Sequence, residues 1–161
     1  VVALLALSTG LQMAFIAFGN ITDFGTNQAF VVHVLAMDTT FESPHTMWRA
    51  ITSDGVADAA YIAIIAWEAI SAIVLIAAFV AWVRGRTTGA RQLSIIGWLM
   101  WVLLFGLGFI AIGGEWFEMW QSSKWNGLQP ALQNLIIASV GLILTALVER
   151  SADSQAHDPV A

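Results

Sequence analysis

The sequence predicts an all-α, polytopic membrane protein: a bundle of four transmembrane helices with a long outer loop between the first two. Of its 161 residues, 58% are hydrophobic and 11% are charged, and the mean hydropathy is +0.77, far more apolar than an ordinary soluble domain. The chain contains four long apolar runs, at 1–19, 57–83, 94–113 and 131–148. Each approaches or exceeds the roughly 20 residues that cross a ~30 Å hydrocarbon layer. We therefore expect one transmembrane domain over 1–150 and a solvated cytoplasmic tail over 151–161.

The first apolar run is interpreted as a membrane span, although a cleavable signal peptide is the usual alternative for an apolar N-terminus. A signal peptide would end in a small-residue cleavage pattern, which FIAFGN at 15–20 does not provide. The run is slightly short and begins at Val1 without a methionine. We therefore expect that its cytoplasmic end is incomplete.

The outer segment 20–56 connects the first two spans. It opens with residues that favour turns: Asn20, Thr22, Asp23, Gly25 and Asn27. An apolar stretch over 29–37 follows, and at about nine residues it is too short to cross the bilayer. We predict a short helix that lies along the outer interface or tucks against the bundle.

Glu68 interrupts the second span and is the most informative residue of the chain. A carboxyl group inside the bilayer is strongly unfavourable unless it is neutral, paired or hydrated. At ~1.5 Å per residue, Glu68 should lie roughly 15 Å deep, near the midplane. Tyr61 and Ser71 share its helix face, because they lie seven residues before it and three after it.

Two roles for Glu68 stay open. As a structural group, the neutral carboxyl would donate a hydrogen bond to Gln12 of the first span or to another neighbour, and these polar faces should converge inside the bundle. As a functional group, it would handle protons or cations. Transport usually needs a second intramembrane titratable group or a broken helix, and the sequence indicates neither.

The arginines predict the orientation, because basic residues in short loops stay on the cytoplasmic side. The connector 84–91 contains three arginines, and a fourth, Arg150, follows the last span. The outer segments 20–56 and 114–130 contain one Lys or Arg each. We predict a multi-pass protein of a bacterial inner membrane, with the connector and both termini in the cytoplasm.

The outer segment 114–130 is rich in aromatic side chains next to charged ones. The residues predicted to contact lipid or a partner are Trp116, Phe117, Trp120, Trp125, Glu115 and Glu118. Tryptophans at headgroup level anchor helices in the interface. Clustered tryptophans also form binding surfaces for proteins or quinone-like ligands, so both interpretations stay open.

The sequence contains no motif for a prosthetic group or for catalysis. It has no cysteine and no histidine inside a span, which removes thiolate ligands and a bis-histidine haem between helices. Four outer residues carry metal-ligating groups without a recognised spacing: His33, Asp38, Glu42 and His45. Hydrolase elbows, zinc-protease helices and phosphate loops are absent. We therefore predict no catalytic residue, metal or cofactor, while a bound lipid or quinone stays open, and we exclude nucleic acid as a partner.

Several strings along the chain resemble a bacterial family known as predicted small integral membrane proteins of unknown function. They are GNITDFGTN at 19–27, FVVHVLAMDTTF at 30–41, WRAIT at 48–52, AAYIAIIAWEA at 59–69, GGEWFEMW at 113–120 and SSKWNG at 122–127. The family commonly has a glutamine and an aromatic residue after the WNG element, whereas this chain continues with Leu128, Gln129 and Pro130. The resemblance implies a four-span inner-membrane protein. Because that family has no assigned catalytic residues, the resemblance implies no activity.

These observations favour a non-enzymatic accessory subunit of a larger inner-membrane complex, such as an energy-converting one. Its expected partners are membrane lipid and other integral membrane subunits. One alternative is a small proton- or cation-linked transporter or channel centred on Glu68. Another is a ligand or metal binder on the outer face.

Overall fold

The computed structural model describes the backbone of residues 1–157 and the side chains of residues 1–148. All of its regular secondary structure in this part of the chain is helical, without any strand, and the predicted four-helix membrane fold is confirmed. Four helices are long and apolar enough to cross a membrane: Val2–Thr22, Asp54–Val83, Thr87–Trp116 and Leu128–Val148. Each overlaps one of the four predicted apolar runs.

The helices in chain order are α1 (Val2–Thr22), α2 (Phe24–Ala36), α3 (Asp54–Val83), α4 (Thr87–Trp101), a π-helical segment (Val102–Trp116) and α5 (Leu128–His157). α3 packs against α1 and α4, while α5 packs against α4, the π-helical segment and α1. The four spanning helices therefore form a closed ring of contacts. α5 continues into the predicted tail, of which 158–161 lie outside the described residues.

The bundle has two unlike ends. We call the end with the tight turn between α3 and α4, at 84–86, the connector end. The opposite end, with segments 23–53 and 117–127, is the loop end. At the connector end Gly85 has a φ of 70°, a left-handed conformation that glycine adopts without steric cost.

Glycines bring the helices into close contact in the half of the bundle nearest the connector end. A Cβ atom added to Gly97 of α4 would lie 2.5 Å from Leu75 of α3, and one added to Gly141 of α5 would overlap the ring of Trp98. Trp98 is fully buried. Small residues at such crossings let helix backbones approach, which is the usual packing device inside membranes.

The π-helical segment is wider than the α-helix predicted for the third span. At its end the amide of Phe117 donates to the carbonyl of Ile112, five residues earlier, at 3.0 Å. The segment contains four glycines, which lowers its preference for ordinary α-helix. π-helical turns are rare and often occur at functional sites.

α2 is the short helix predicted within segment 20–56, and it tucks against the bundle. Its residue Val31 packs on Ala57, Tyr61 and Ile65 of α3. The turn predicted over residues 20–27 is reduced to Asp23, with φ −124° and ψ 62°. Asn20 and Asn27 lie inside α1 and α2, and their side chains bond to other helices, whereas Thr22 bonds to carbonyl groups of its own helix.

The two segments of the loop end pack on each other. Thr39 Oγ1 donates to Ser122 Oγ at 2.9 Å, and the amide of Phe41 donates to Gln121 Oε1 at 2.7 Å. Residues distant in sequence are thereby joined across the end of the bundle, and this fixes the position of α2.

Candidate ligand-binding site

Glu68 lies where α3 passes α1, and only 4% of the residue is exposed. The amide Nδ2 of Asn20, in the last turn of α1, donates a hydrogen bond to Glu68 Oε2 at 2.8 Å. The carboxyl group is therefore closer to the loop end of α1 than the midplane depth estimated from the sequence. Glu68 is displaced from the estimated depth because α3 already begins at Asp54, so that about 21 Å of helix precedes Glu68. This first part of α3 packs on α2.

Two further groups extend this contact into a chain of hydrogen bonds. Asn27 Nδ2 of α2 donates to Asn20 Oδ1 at 2.7 Å, and the Tyr61 hydroxyl donates to the backbone carbonyl of Asn20 at 3.4 Å. Hydrogen bonds in such a chain polarise and strengthen one another in apolar surroundings. The chain joins α1, α2 and α3 at one point.

Sequence reasoning missed Asn20 and Asn27 because it interpreted both as turn formers. Between them only Asp23 departs from helical backbone, so both amides lie on helices that face α3. The available signal was their separation by seven residues, about two helical turns. The turn preference of the two asparagines led instead to the prediction of a turn.

Glu68 forms the polar side of a pocket of about 300 Å³, which we call the Glu68 pocket. Phenylalanines form much of its apolar wall: the ring centres of Phe30 and Phe109 are 6.4 Å apart, and those of Phe105 and Phe109 are 5.7 Å apart. Glu68 Oε2 accepts the hydrogen bond from Asn20, and the carboxyl group lines the pocket. The pocket is at the small end of the range for small-molecule sites.

A second pocket of about 210 Å³, lined entirely by apolar residues and called here the apolar pocket, adjoins the first. Phe30, Val31, Ile64 and Phe109 line both pockets. α2 covers both, since it contributes residues to each lining. The combined space has a polar end and an apolar remainder.

The linings of the two pockets contain very few ionisable side chains. Among the described residues that line them, Glu68 is the single acidic side chain and there is no Lys, Arg or His. An anionic ligand would place a second acid beside the carboxyl group with no buried cation to offset it. The site therefore suits a ligand that has a hydrogen-bonding group without negative charge.

Two residues that the sequence grouped with Glu68 lie elsewhere. Gln12 is exposed on the bundle surface and donates to Asn134 Oδ1 of α5 at 3.1 Å. Ser71 is buried, but its hydroxyl donates to the carbonyl of Trp67 at 2.7 Å within the same helix. Of the four predicted residues, Glu68 and Tyr61 line the pocket.

Two of the predicted aromatic contact residues form an exposed surface at the loop end. Trp116 packs edge to face on Trp48 with ring centres 5.6 Å apart, and Trp120 packs on Phe41 at 5.9 Å. All four rings are exposed. We call these four residues the aromatic surface.

The other two aromatic residues do not belong to this surface. Phe117 is buried and lines the apolar pocket, so its ring does not belong to the exposed surface where the sequence placed it. Trp125 is half-buried and stacks on His33 at 4.7 Å, with Lys124 Nζ 4.8 Å from its ring centre. Both side chains therefore pack against other residues of the protein and help to hold the loop end together.

The predicted acidic contact residues also differ from each other. Glu115 is exposed, whereas Glu118 is half-buried and accepts a hydrogen bond from Thr46 Oγ1 at 3.1 Å. Beside them the guanidinium of Arg49 lies 4.8 Å from the ring centre of Trp116 and donates to its carbonyl at 3.3 Å. Glu118 and Arg49 thus connect the two loop-end segments.

The four candidate metal ligands do not form a cluster. His33 Nδ1 lies 2.8 Å from Asp38 Oδ2, while Glu42 and His45 are exposed on the loop that follows. Within the described part of the chain, no three His, Asp or Glu side chains are placed so that they could hold a metal ion. His33 and Asp38 therefore form a local pair.

Comparison with known proteins gives one match. A family model described as predicted small integral membrane protein (DUF2165) matches residues 1–148. No curated protein and no solved structure matches the chain. Since the family match covers all four apolar helices, the chain belongs to this family of small integral membrane proteins.

Proposed function

We propose that this protein is a non-enzymatic membrane protein that binds a bilayer-dissolved small molecule in the Glu68 pocket. The observation that carries the proposal is a buried carboxyl group in an aromatic-walled pocket, hydrogen-bonded through one oxygen, Oε2, to Asn20. Ionisable groups inside membrane spans are rare and mark functional sites. In its protonated form the carboxyl group would donate a hydrogen bond to an oxygen of the ligand head group, and the apolar part of the ligand would contact the phenylalanines.

The head group that fits best is neutral, flat and hydrogen-bonding, as in a quinone. Flat rings pack favourably on the faces and edges of phenylalanine. Asn20 uses one amide hydrogen in the observed chain, and its amide carries a second one for a ligand oxygen. A cationic head group is the rival, because Glu68 would then act as its counter-ion in a proton- or cation-linked transporter.

The experiment is equilibrium binding of decylubiquinone, a neutral quinone with one alkyl tail, to the protein in phosphatidylcholine nanodiscs. The wild-type protein should bind it saturably. Glu68→Leu and Asn27→Leu should each weaken binding about tenfold, since each removes a polar partner worth ~1–2 kcal/mol. Gln12→Leu is the matched control, because it breaks an interhelical hydrogen bond outside the pocket and should leave binding unchanged.

Three outcomes would contradict the proposal. Equal losses in Gln12→Leu and Glu68→Leu would show a general loss of structure instead of a site. Saturable binding of tetraphenylphosphonium that disappears in Glu68→Gln, without quinone binding, would favour the cation transporter. Absence of saturable binding for both probes would remove the ligand site altogether.

A second function, an accessory subunit of a larger membrane assembly such as an energy-converting one, is favoured by the aromatic surface. Phe41 and Trp48 are 72% and 70% exposed, beside the charged side chains of Arg49 and Glu115. Exposed aromatic groups of this kind are typical of binding hot spots. The two functions are compatible, because a subunit of such a complex can also hold a ligand.

Co-purification from the native membrane in mild detergent tests the subunit role. Trp48→Phe, Trp116→Phe and Trp120→Phe should each reduce the recovery of partner proteins, since a trimmed tryptophan anchor typically costs ~2 kcal/mol or more. Lipid anchoring tolerates these changes. Trp82→Phe, near the connector end, is the matched control. If every variant retains its partners, or the wild-type chain purifies alone, the subunit role fails.

We further propose the location and orientation: a bacterial inner membrane, with the connector end in the cytoplasm. The support is the cluster of exposed arginines, Arg84 and Arg86, in the turn between α3 and α4. The Glu68 pocket would then lie toward the outer leaflet.

A further inference from the structure

Three spaces adjoin between α3 and the π-helical segment. The Glu68 pocket and the apolar pocket share Ile64 and Phe109. The apolar pocket in turn shares Ile64, Gly108 and Ile112 with a groove of about 330 Å³ on the bundle surface, called here the lateral groove. Ile64 lines all three, so the spaces form a row from the carboxyl group to the surface of the bundle.

The lateral groove faces the region where lipid chains would lie. Its exposed residues are apolar: Trp67, Leu103 and Leu107. It is lined by no charged side chain of the described residues. In a chain that spans the membrane, such a surface contacts acyl chains instead of water.

From this row of spaces, and resting on the proposed quinone-type site, we propose that the ligand carries a single apolar tail. The tail runs from the Glu68 pocket through the apolar pocket and the lateral groove into the surrounding lipid. The ligand class is therefore a tailed amphiphile of the isoprenoid-quinone type, which enters from the side without leaving the bilayer.

The passage acts by shape. A tail gains little free energy when it moves from lipid into an apolar pocket, because the two surroundings are equally apolar. The passage instead admits a flat ring followed by a slim tail and keeps out larger head groups such as those of phospholipids. The tail fits when the side chains at the shared walls, Ile64 and Phe109, change rotamer, and such changes are fast compared with binding.

Gly108 is the position where the passage can be closed with least disturbance. A Cβ atom added there meets only the carbonyl oxygen of Leu103, at 3.8 Å, which is an ordinary contact. A larger side chain would extend into the spaces that Gly108 lines. Gly108→Leu should weaken decylubiquinone binding in nanodiscs about tenfold or more through overpacking, whereas Gly108→Ala should stay within about twofold of wild type.

A second pair of variants keeps the test decisive if Gly108→Leu does not fold. Ile112 lines the apolar pocket and the groove and is 45% exposed, so Ile112→Trp can obstruct the groove from its surface. Ile136→Trp is the control, at a position of α5 that is 53% exposed and lines none of the three spaces. We expect Ile112→Trp to weaken quinone binding and Ile136→Trp to leave it unchanged.

The outcomes separate this inference from the proposed function. If the folded Gly108→Leu and Ile112→Trp variants bind decylubiquinone like wild type while Glu68→Leu does not, the site stands and the tail route is wrong. If wild-type protein does not bind the quinone at all, both proposals fail. Loss of binding in the two obstructing variants, with both controls unchanged, supports the route.

Discussion

The two halves of the bundle differ in how their interior is packed around the residues described above. In the connector half, Gly97 fits against Leu75 and Gly141 against Trp98 so closely that neither site has room for a methyl group. In the loop half, the Glu68 pocket, the apolar pocket and the lateral groove occupy the space between α2, α3 and the π-helical segment. The interior of the connector half is tightly packed at these two glycines, whereas the interior of the loop half leaves space beside a buried acid.

This difference suggests that the two halves of the bundle have different roles. Close contacts between small residues are what hold helices together in lipid, where the hydrophobic effect between helices is lost. Spaces with convergent polar groups are where ligands bind. Substitutions in the connector half should therefore change stability, and substitutions near Glu68 should change binding.

The largest expected effect concerns the two ends, which the proposed orientation places on opposite sides of the membrane. With an impermeant maleimide on intact cells, a cysteine at Ser123 should react, and one at Thr88 should react only after permeabilisation. Both positions are exposed, and the chain has no native cysteine. The neighbouring Ser122 is unsuitable because it is buried and bonded to Thr39. The reverse pattern would put the loop end in the cytoplasm.

The next largest effect is expected for Gly141→Ala, which tests whether the connector half is the rigid part. The added methyl group would overlap the ring of Trp98, so we expect a loss of about 1–3 kcal/mol, the usual range for overpacking. Thermal unfolding in detergent measures it. Gly19→Ala, where no atom lies within 4 Å of the added carbon, should be neutral, and equal melting temperatures for the two variants would refute the comparison.

A smaller effect is expected at Glu68. Glu68→Gln keeps an oxygen that can accept from Asn20, so stability should be close to wild type. Glu68→Leu removes the acceptor of the 2.8 Å hydrogen bond and should cost about 1 kcal/mol or somewhat more. Thermal unfolding of the two variants side by side measures the difference. A Gln variant as unstable as the Leu variant would show that the carboxyl group itself, and not its hydrogen bond, holds α1 to α3.

The sequence was sufficient for the architecture because the apolar runs and the lone acid are large local signals. The four spans follow from the length of the apolar runs, and the burial of Glu68 inside the bundle follows from the cost of exposing a carboxyl group to lipid. Orientation stays a prediction, because no feature of the structure tests which side the arginines face.

The site could not be assembled from the sequence, because its parts depend on contacts between distant segments. Glu68 lies beside Asn20 because the first part of α3 extends beyond α1 and packs on α2, a contact that the apolar runs do not reveal. Gln12 was expected to be the hydrogen-bond partner of Glu68, but its side chain bonds to Asn134 instead. Phe117 looked like a surface residue because the loop carries other aromatics, but the wider winding of the π-helical segment ends just before it and directs it into the apolar pocket.

The smallest expected effect lies in the loop end, where Arg49 joins the two segments. Its guanidinium lies 4.8 Å and 5.6 Å from the ring centres of Trp116 and Trp48 and donates to the Trp116 carbonyl at 3.3 Å. Arg49→Lys keeps the charge but loses the flat group that stacks on indole, so we expect a loss of about 0.5–1 kcal/mol, as for an exposed cation–π contact.

Because this contact is local, the loss should appear as faster amide hydrogen exchange in segments 41–49 and 117–122, with the melting temperature of the bundle nearly unchanged. Arg84→Lys in the exposed turn of the connector end is the matched control and should change neither measurement. If Arg49→Lys instead lowers the melting temperature as much as Gly141→Ala does, the loop end belongs to the rigid part of the protein. The space around Glu68 would then be held open by the loop segments as well as by the helices.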